Sequence, residues 1–105
     1  MTFEVIFSPE AEEDLERLFD YVLERELNNH TGNLDLPERA IQAVRKGCEF
    51  LAHSPFSCRK AGDSAFVREF LISFGTTGYV ALFEIQGNQQ VMIGAVRHQR
   101  EDDYH

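Results

Sequence analysis

Phe66 to His98 reads FVREFLISFGTTGYVALFEIQGNQQVMIGAVRH, and in it the apolar residues recur with a period close to two. That period belongs to strands, and the stretch divides into Phe66 to Ser73, Gly78 to Ile85 and Gln90 to His98. Phe74-Gly75-Thr76-Thr77-Gly78 joins the first two segments and Gly87-Asn88 the last two, both with hairpin chemistry. Consecutive hairpins predict an antiparallel meander, one face of which needs an apolar cover.

The cover is written upstream, where the period is 3.6. Ala11, Leu15, Leu18, Phe19, Val22 and Leu23 recur at steps of three and four, predicting a helix from about Pro9 to about Leu27. Ser8 is placed to cap it, Pro9 needs no N–H at the first helical position, and Glu10, Glu12 and Glu13 suit the positive end of the dipole. Asn28 to Asn33 is turn chemistry. Asp35, Pro37 and Glu38 then have the spacing of a capping box opening a second helix. Ile41, Val44, Cys48 and Leu51 form its stripe, Ala40 and Ala43 allow close approach, and His53-Ser54-Pro55 stops it. Thr2 to Phe7 is a first strand. The order is β-α-α-β-β-β: an α+β domain with a helical hairpin on one face of an antiparallel sheet. Its 105 residues make one domain, 1–105.

Charge narrows the functional classes. Eighteen acids oppose ten Lys and Arg, a net charge of −8, and Pro9 to Glu26 alone holds eight acids against two arginines. Such a surface repels nucleic-acid backbones at long range and excludes a broad nucleic-acid coat or a basic membrane-surface helix. A small cationic patch stays open. Cys48 and Cys58 match neither a CxxC pair nor a zinc knuckle, and the four histidines make no metal spacing, so neither a metal nor a cofactor is expected. Met1-Thr2-Phe3-Glu4 lacks a basic leader and no apolar run approaches a membrane span, so the expected address is the cytoplasm with both thiols reduced.

The candidate site residues are basic. Arg97 and His98 end the last strand and Arg100 and Tyr104 follow it, where they fit a phosphate or a partner's acidic surface and equally a solvated terminus. Alternation sets Arg97 and His98 on opposite faces. Arg68 shares a strand face with Phe66, Phe70 and Ile72, either in a cross-strand ion pair or projecting into a site. Arg59-Lys60 sits in a loop beside that strand and is placed to join Arg68 and Arg97 in one patch. His30 and His53 read as structural, Cys48 as core, and the aromatics as sheet packing.

Taken together, the chain resembles the RelE/ParE superfamily of bacterial type II toxin–antitoxin toxins over essentially its full length. Val5-Ile6-Phe7-Ser8-Pro9-Glu10-Ala11 with Asp14-Leu15, Val67-Arg68-Glu69-Phe70 and Gly78-Tyr79-Val80-Ala81-Leu82-Phe83 carry the likeness. Val91 to Val96, running into Arg97-His98-Gln99-Arg100-Glu101-Asp102, is the most specific part and is similar to the ParE branch. The resemblance implies a cytoplasmic toxin, held in a hetero-oligomer by an antitoxin encoded beside it. ParE-like members bind DNA gyrase and have no established catalytic set. Arg59, Lys60, Arg68, Arg97, His98, Arg100 and Tyr104 would then contact the target. RelE-like members cut mRNA on the ribosome. In that reading Arg68 and Arg97 would neutralise phosphate charge, with His98, Tyr104 or His105 exchanging protons. An inactive relative that only binds an antitoxin is the third class. The gyrase reading is preferred, largely because the resemblance is to the ParE branch and in part because ten basic residues are few for a ribosome-facing surface.

Overall fold

In a computed structural model, which describes residues 2–99, the helical hairpin and the meander both form. The elements are β1 (Glu4–Phe7), α1 (Pro9–Leu27), α2 (Leu36–Cys48), β2 (Arg59–Lys60), β3 (Val67–Phe74), β4 (Thr77–Gln86) and β5 (Gln90–His98). They build a five-stranded sheet in the order β1-β5-β4-β3-β2. Ala11, Leu15 and Leu18 of α1 and Ala40, Val44 and Cys48 of α2 share one core with Ile72, Tyr79, Phe83, Ile85, Val91, Ile93 and Val96 of the sheet.

α1 has the predicted bounds and the predicted cap: the Ala11 N–H donates to Ser8 Oγ at 3.0 Å. The cap predicted for α2 does not form. Asp35 is itself in helical geometry and its side chain caps nothing. Instead Asn33 turns the chain, its Oδ1 accepting from the Asp35 N–H at 2.9 Å, while Glu38 reaches forward to Gln42. α2 also stops early, and Leu51 is buried from a 3₁₀ turn, Glu49–Ala52. Gly47 lets the helix approach the sheet, since a Cβ there would sit 3.2 Å from Ile72.

Two features correct the expected sheet. Arg59-Lys60 is a two-residue edge strand antiparallel to β3, not a loop. β1 runs parallel to β5, so the sheet is mixed rather than wholly antiparallel. The helical hairpin explains the direction. It returns the chain to the end of the sheet from which β1 starts, where the Phe3 N–H donates to Ala52 O at 2.7 Å. β3 therefore sets out the same way as β1, β4 comes back, and β5 repeats the direction.

β5 also changes phase. Phe83 pairs with Ile93 and Leu82 with Ala95, leaving Gly94 as a bulge. Val91 and Ile93 face the core before it and Val96 after it. The extra residue is what turns Val96 inward and Arg97 to the other face.

Candidate functional site

β1 flanks β5 only as far as Ile93, and beyond that point β5 would present an open edge. The first turns of α1 close it. The Ser8 N–H donates to Ile93 O at 2.9 Å and Ser8 Oγ to Gly94 O at 3.4 Å. Asp14, 4% exposed, then takes the place of a neighbouring strand: its Oδ2 accepts from the Val96 N–H at 2.9 Å and from Arg97 Nη1 at 2.6 Å. Arg97 Nη1 also donates to Val96 O at 3.1 Å, and Arg17 pairs with Asp14 Oδ1 from solvent. A buried carboxylate is tolerated here because each oxygen has a cationic or amide donor. Arg97 is thereby committed to the fold.

Arg68 is held too, at the other side of the molecule. Its Nε donates to Ala65 O at 2.8 Å and its Nη1 to Cys58 O at 2.6 Å and Phe56 O at 3.1 Å, with the guanidinium 5.3 Å from the Phe56 ring centre. In β4, Phe83 pairs with Arg68 and Val80 with Arg97. Phe83 and Val80 are an odd number of residues apart, so the two arginines lie on opposite faces of the sheet, two strands apart. Arg59 pairs with Glu69 at 2.8 Å. Lys60, opposite Arg68, makes no ion pair among the described residues. The single basic patch joining Arg59, Lys60, Arg68 and Arg97 therefore does not assemble. His98 is on the core side, as alternation predicts, with Nε2 3.1 Å from Thr77 Oγ1 and its ring edge-on to Tyr79. Arg100, Tyr104 and His105 lie outside the described residues.

The helices supply a different feature. Between α1 and α2 runs a groove whose floor is Leu15, Phe19 and Ile41 and whose walls are Glu12, Glu16, Asp20 and Glu38, with Arg45. Arg45 Nη2 donates to Glu12 Oε1 at 2.7 Å, which lowers the Glu12 carboxyl below its ordinary range, and it stacks over Phe7 at 5.2 Å. Four acids of α1 thus take definite places. Asp14 turns inward, and Glu12, Glu16 and Asp20 line the groove. Sequence reading gives Asp14 as part of the acidic load and of the family likeness, with no structural role. Its position among Ala11, Leu15 and Leu18 on the apolar stripe was the available signal. It also took the aromatics as packing, yet Phe50, Phe56 and Phe66 are exposed. Among the described residues no group of His, Cys, Asp or Glu could hold a metal, and no helix is long and apolar enough to cross a membrane.

Residues 5–103 match the family model for the ParE toxin of the type II toxin–antitoxin system parDE. The chain belongs to the ParE toxin family. No curated protein matches its sequence. Among solved structures, this ParE-family chain is similar to a chromosomal ParDE toxin–antitoxin system from P. aeruginosa, with a TM-score of 0.69 and 13% identity over 92% of this chain and 96% of that one. It is also similar to the toxin–antitoxin complex RelBE2 from Mycobacterium tuberculosis, with a TM-score of 0.59 and 22% identity over 93% of this chain and 99% of that one. At these identities the two structures establish the ParE/RelE fold.

Proposed function

We propose that this toxin arrests growth by binding DNA gyrase in the cytoplasm, and that a cognate antitoxin silences it by laying an amphipathic, Lys/Arg-bearing helix into the α1/α2 groove. The observation that carries the first part is the separation of Arg68 and Arg97. Cleaving RNA requires several cations converging on one phosphate. Here the two candidates occupy opposite faces, one tied to Asp14 and the other to three carbonyls. Binding a protein target needs only complementary apolar contacts and short-range hydrogen bonds. The groove supports the second part: an apolar floor between acidic walls selects a helix with apolar anchors and a basic rim. The two solved structures named above are both toxin–antitoxin systems.

The test is induction of the chain without its antitoxin, following gyrase-dependent DNA breaks and transcript integrity in parallel. DNA breaks with intact mRNA are expected. Prompt cleavage of translated mRNA over intact DNA would replace this reading with a RelE-type nuclease. Growth unaffected by induction would leave an antitoxin-binding relative.

A further inference from the structure

At the end of the sheet where β1 and β3 begin, linked aromatic rings stay in solvent. Phe56 is 49% exposed, Phe66 51% and Phe50 46%. Phe56 stands edge-on to both Phe3 and Phe66, with ring centres 6.4 Å apart in each pair, and Phe50 stacks on Phe70 at 5.4 Å. Lys60 is the register partner of Arg68, and Phe70 lies two residues further along β3, so alternation puts Lys60, Arg68 and Phe70 on one face. Rings and cations form one strip.

A single exposed phenylalanine is ordinary, whereas a connected set beside a fixed arginine has the composition of a protein-binding hot spot. Arg68 is already ordered by its three carbonyl contacts, so little further freedom is lost when a partner covers it. Charge selects the partner. From Glu49 to Glu69 three acids balance Arg59, Lys60 and Arg68, but Arg59 is tied to Glu69 at 2.8 Å and the strip's own face carries Lys60 and Arg68, while α1 is strongly acidic. The molecule is polarised, and an acidic ligand is steered to this corner and away from the groove.

We propose that this strip is the surface with which the toxin grips its target, through a segment of the target protein carrying apolar and acidic side chains, separate from the antitoxin groove. The inference rests on the reading that the toxin acts by binding a protein. A nucleic-acid strand would also stack on the rings, but the chain's net charge of −8 opposes a polyanion.

Two variants test it, Lys60→Glu, whose side chain leaves the core untouched, and the double change Phe56→Ser with Phe66→Ser. Both are checked for fold by circular dichroism and melting. Growth arrest on induction, inhibition of gyrase supercoiling by purified toxin, affinity for the antitoxin, and binding of a single-stranded oligonucleotide are then measured. Lys60→Glu is expected to raise the toxin dose needed for arrest and for gyrase inhibition about tenfold, with antitoxin affinity unchanged. Full toxicity in both folded variants overturns the proposal, as does loss of antitoxin binding. Oligonucleotide binding that depends on Phe56 and Phe66 assigns the strip to nucleic acid and overturns it too. If the unaltered toxin leaves gyrase active, the gyrase reading falls by itself. Growth arrest then still judges the strip, with loss in the variants supporting it and retention overturning it.

Discussion

Asp14 and Arg97 meet across 83 residues of sequence, Oδ2 to Nη1 at 2.6 Å, at the point where β1 no longer flanks β5. The pair does the work of a missing strand, since together they engage both the N–H and the C=O of Val96. Asp14→Ala removes the acceptor, leaving Arg97 without its counter-ion and the Val96 amide without a partner. Because Arg97 reaches solvent, a loss of about 3 kcal/mol in urea unfolding is expected, at the low end for a broken buried pair. Asp14→Asn keeps an oxygen for the amide and is expected to lose about 1–2 kcal/mol. Hydrogen exchange at Val96 should accelerate in the alanine variant and stay slow in the asparagine variant.

Arg97→Ala is expected to lower stability by about 1–3 kcal/mol, because the Asp14 carboxylate stays buried with fewer donors. A melting temperature lower by several degrees checks this. Reduced toxicity in that variant therefore reports lost fold as well as lost contact, and growth arrest has to be normalised to folded toxin. Sequence reading leaves Arg97 between a binding role and a solvated terminus, and its pairing with Asp14 gives it a structural one.

The thiols are predicted to react unequally. Burial pushes Cys48 up to about 12 and also raises Cys58, which is only partly covered. Alkylation of native protein near pH 8 should label Cys58 first and leave Cys48 intact until unfolding. The sign for stability follows. Between the ordinary thiol value and about 12, the folded chain holds a proton on Cys48 that the unfolded chain has lost. Stability should thus be undiminished at neutral pH and fall as pH rises past about 9. Cys48→Ala should flatten that alkaline slope in chemical unfolding measured from pH 8 to 11.

With the antitoxin in the groove as proposed, the groove's acidity predicts how it arrives. Glu16→Lys with Asp20→Lys should slow association by about tenfold at low salt and leave dissociation nearly unchanged. The difference should shrink as salt rises, because screening removes the long-range part of the attraction. Stopped-flow binding at two ionic strengths reads both.

Elements whose signals are local were legible in the sequence. Ser8-Pro9 opened α1 and the apolar stripe ended it at Leu27, while alternation placed β5 at Gln90–His98. What escaped was set by distance or brevity. β2 has two residues, too few to show a period. The parallel pairing of β1 depends on where the helical hairpin returns the chain, which no local pattern states. Gly94 inside a strand was a readable sign of a bulge, and the bulge decides which face Arg97 takes. For the candidate site, the basic residues that the sequence offers as one patch are not brought together by the fold. Arg68 and Arg97 look alike in sequence, yet each is consumed by a partner that only the folded chain brings near.

The pairing of β1 with β5 also bears on how the toxin is made. Val5 cannot find Val91 until the ribosome has added more than eighty further residues. At elongation rates of about 5–20 residues per second, that is a wait of roughly 4–17 s. During it, α1 and α2 can form and dock on each other, and the groove between them takes shape before the sheet is closed. An antitoxin that takes the groove as proposed would meet these helices on a nascent chain that is not yet a toxin.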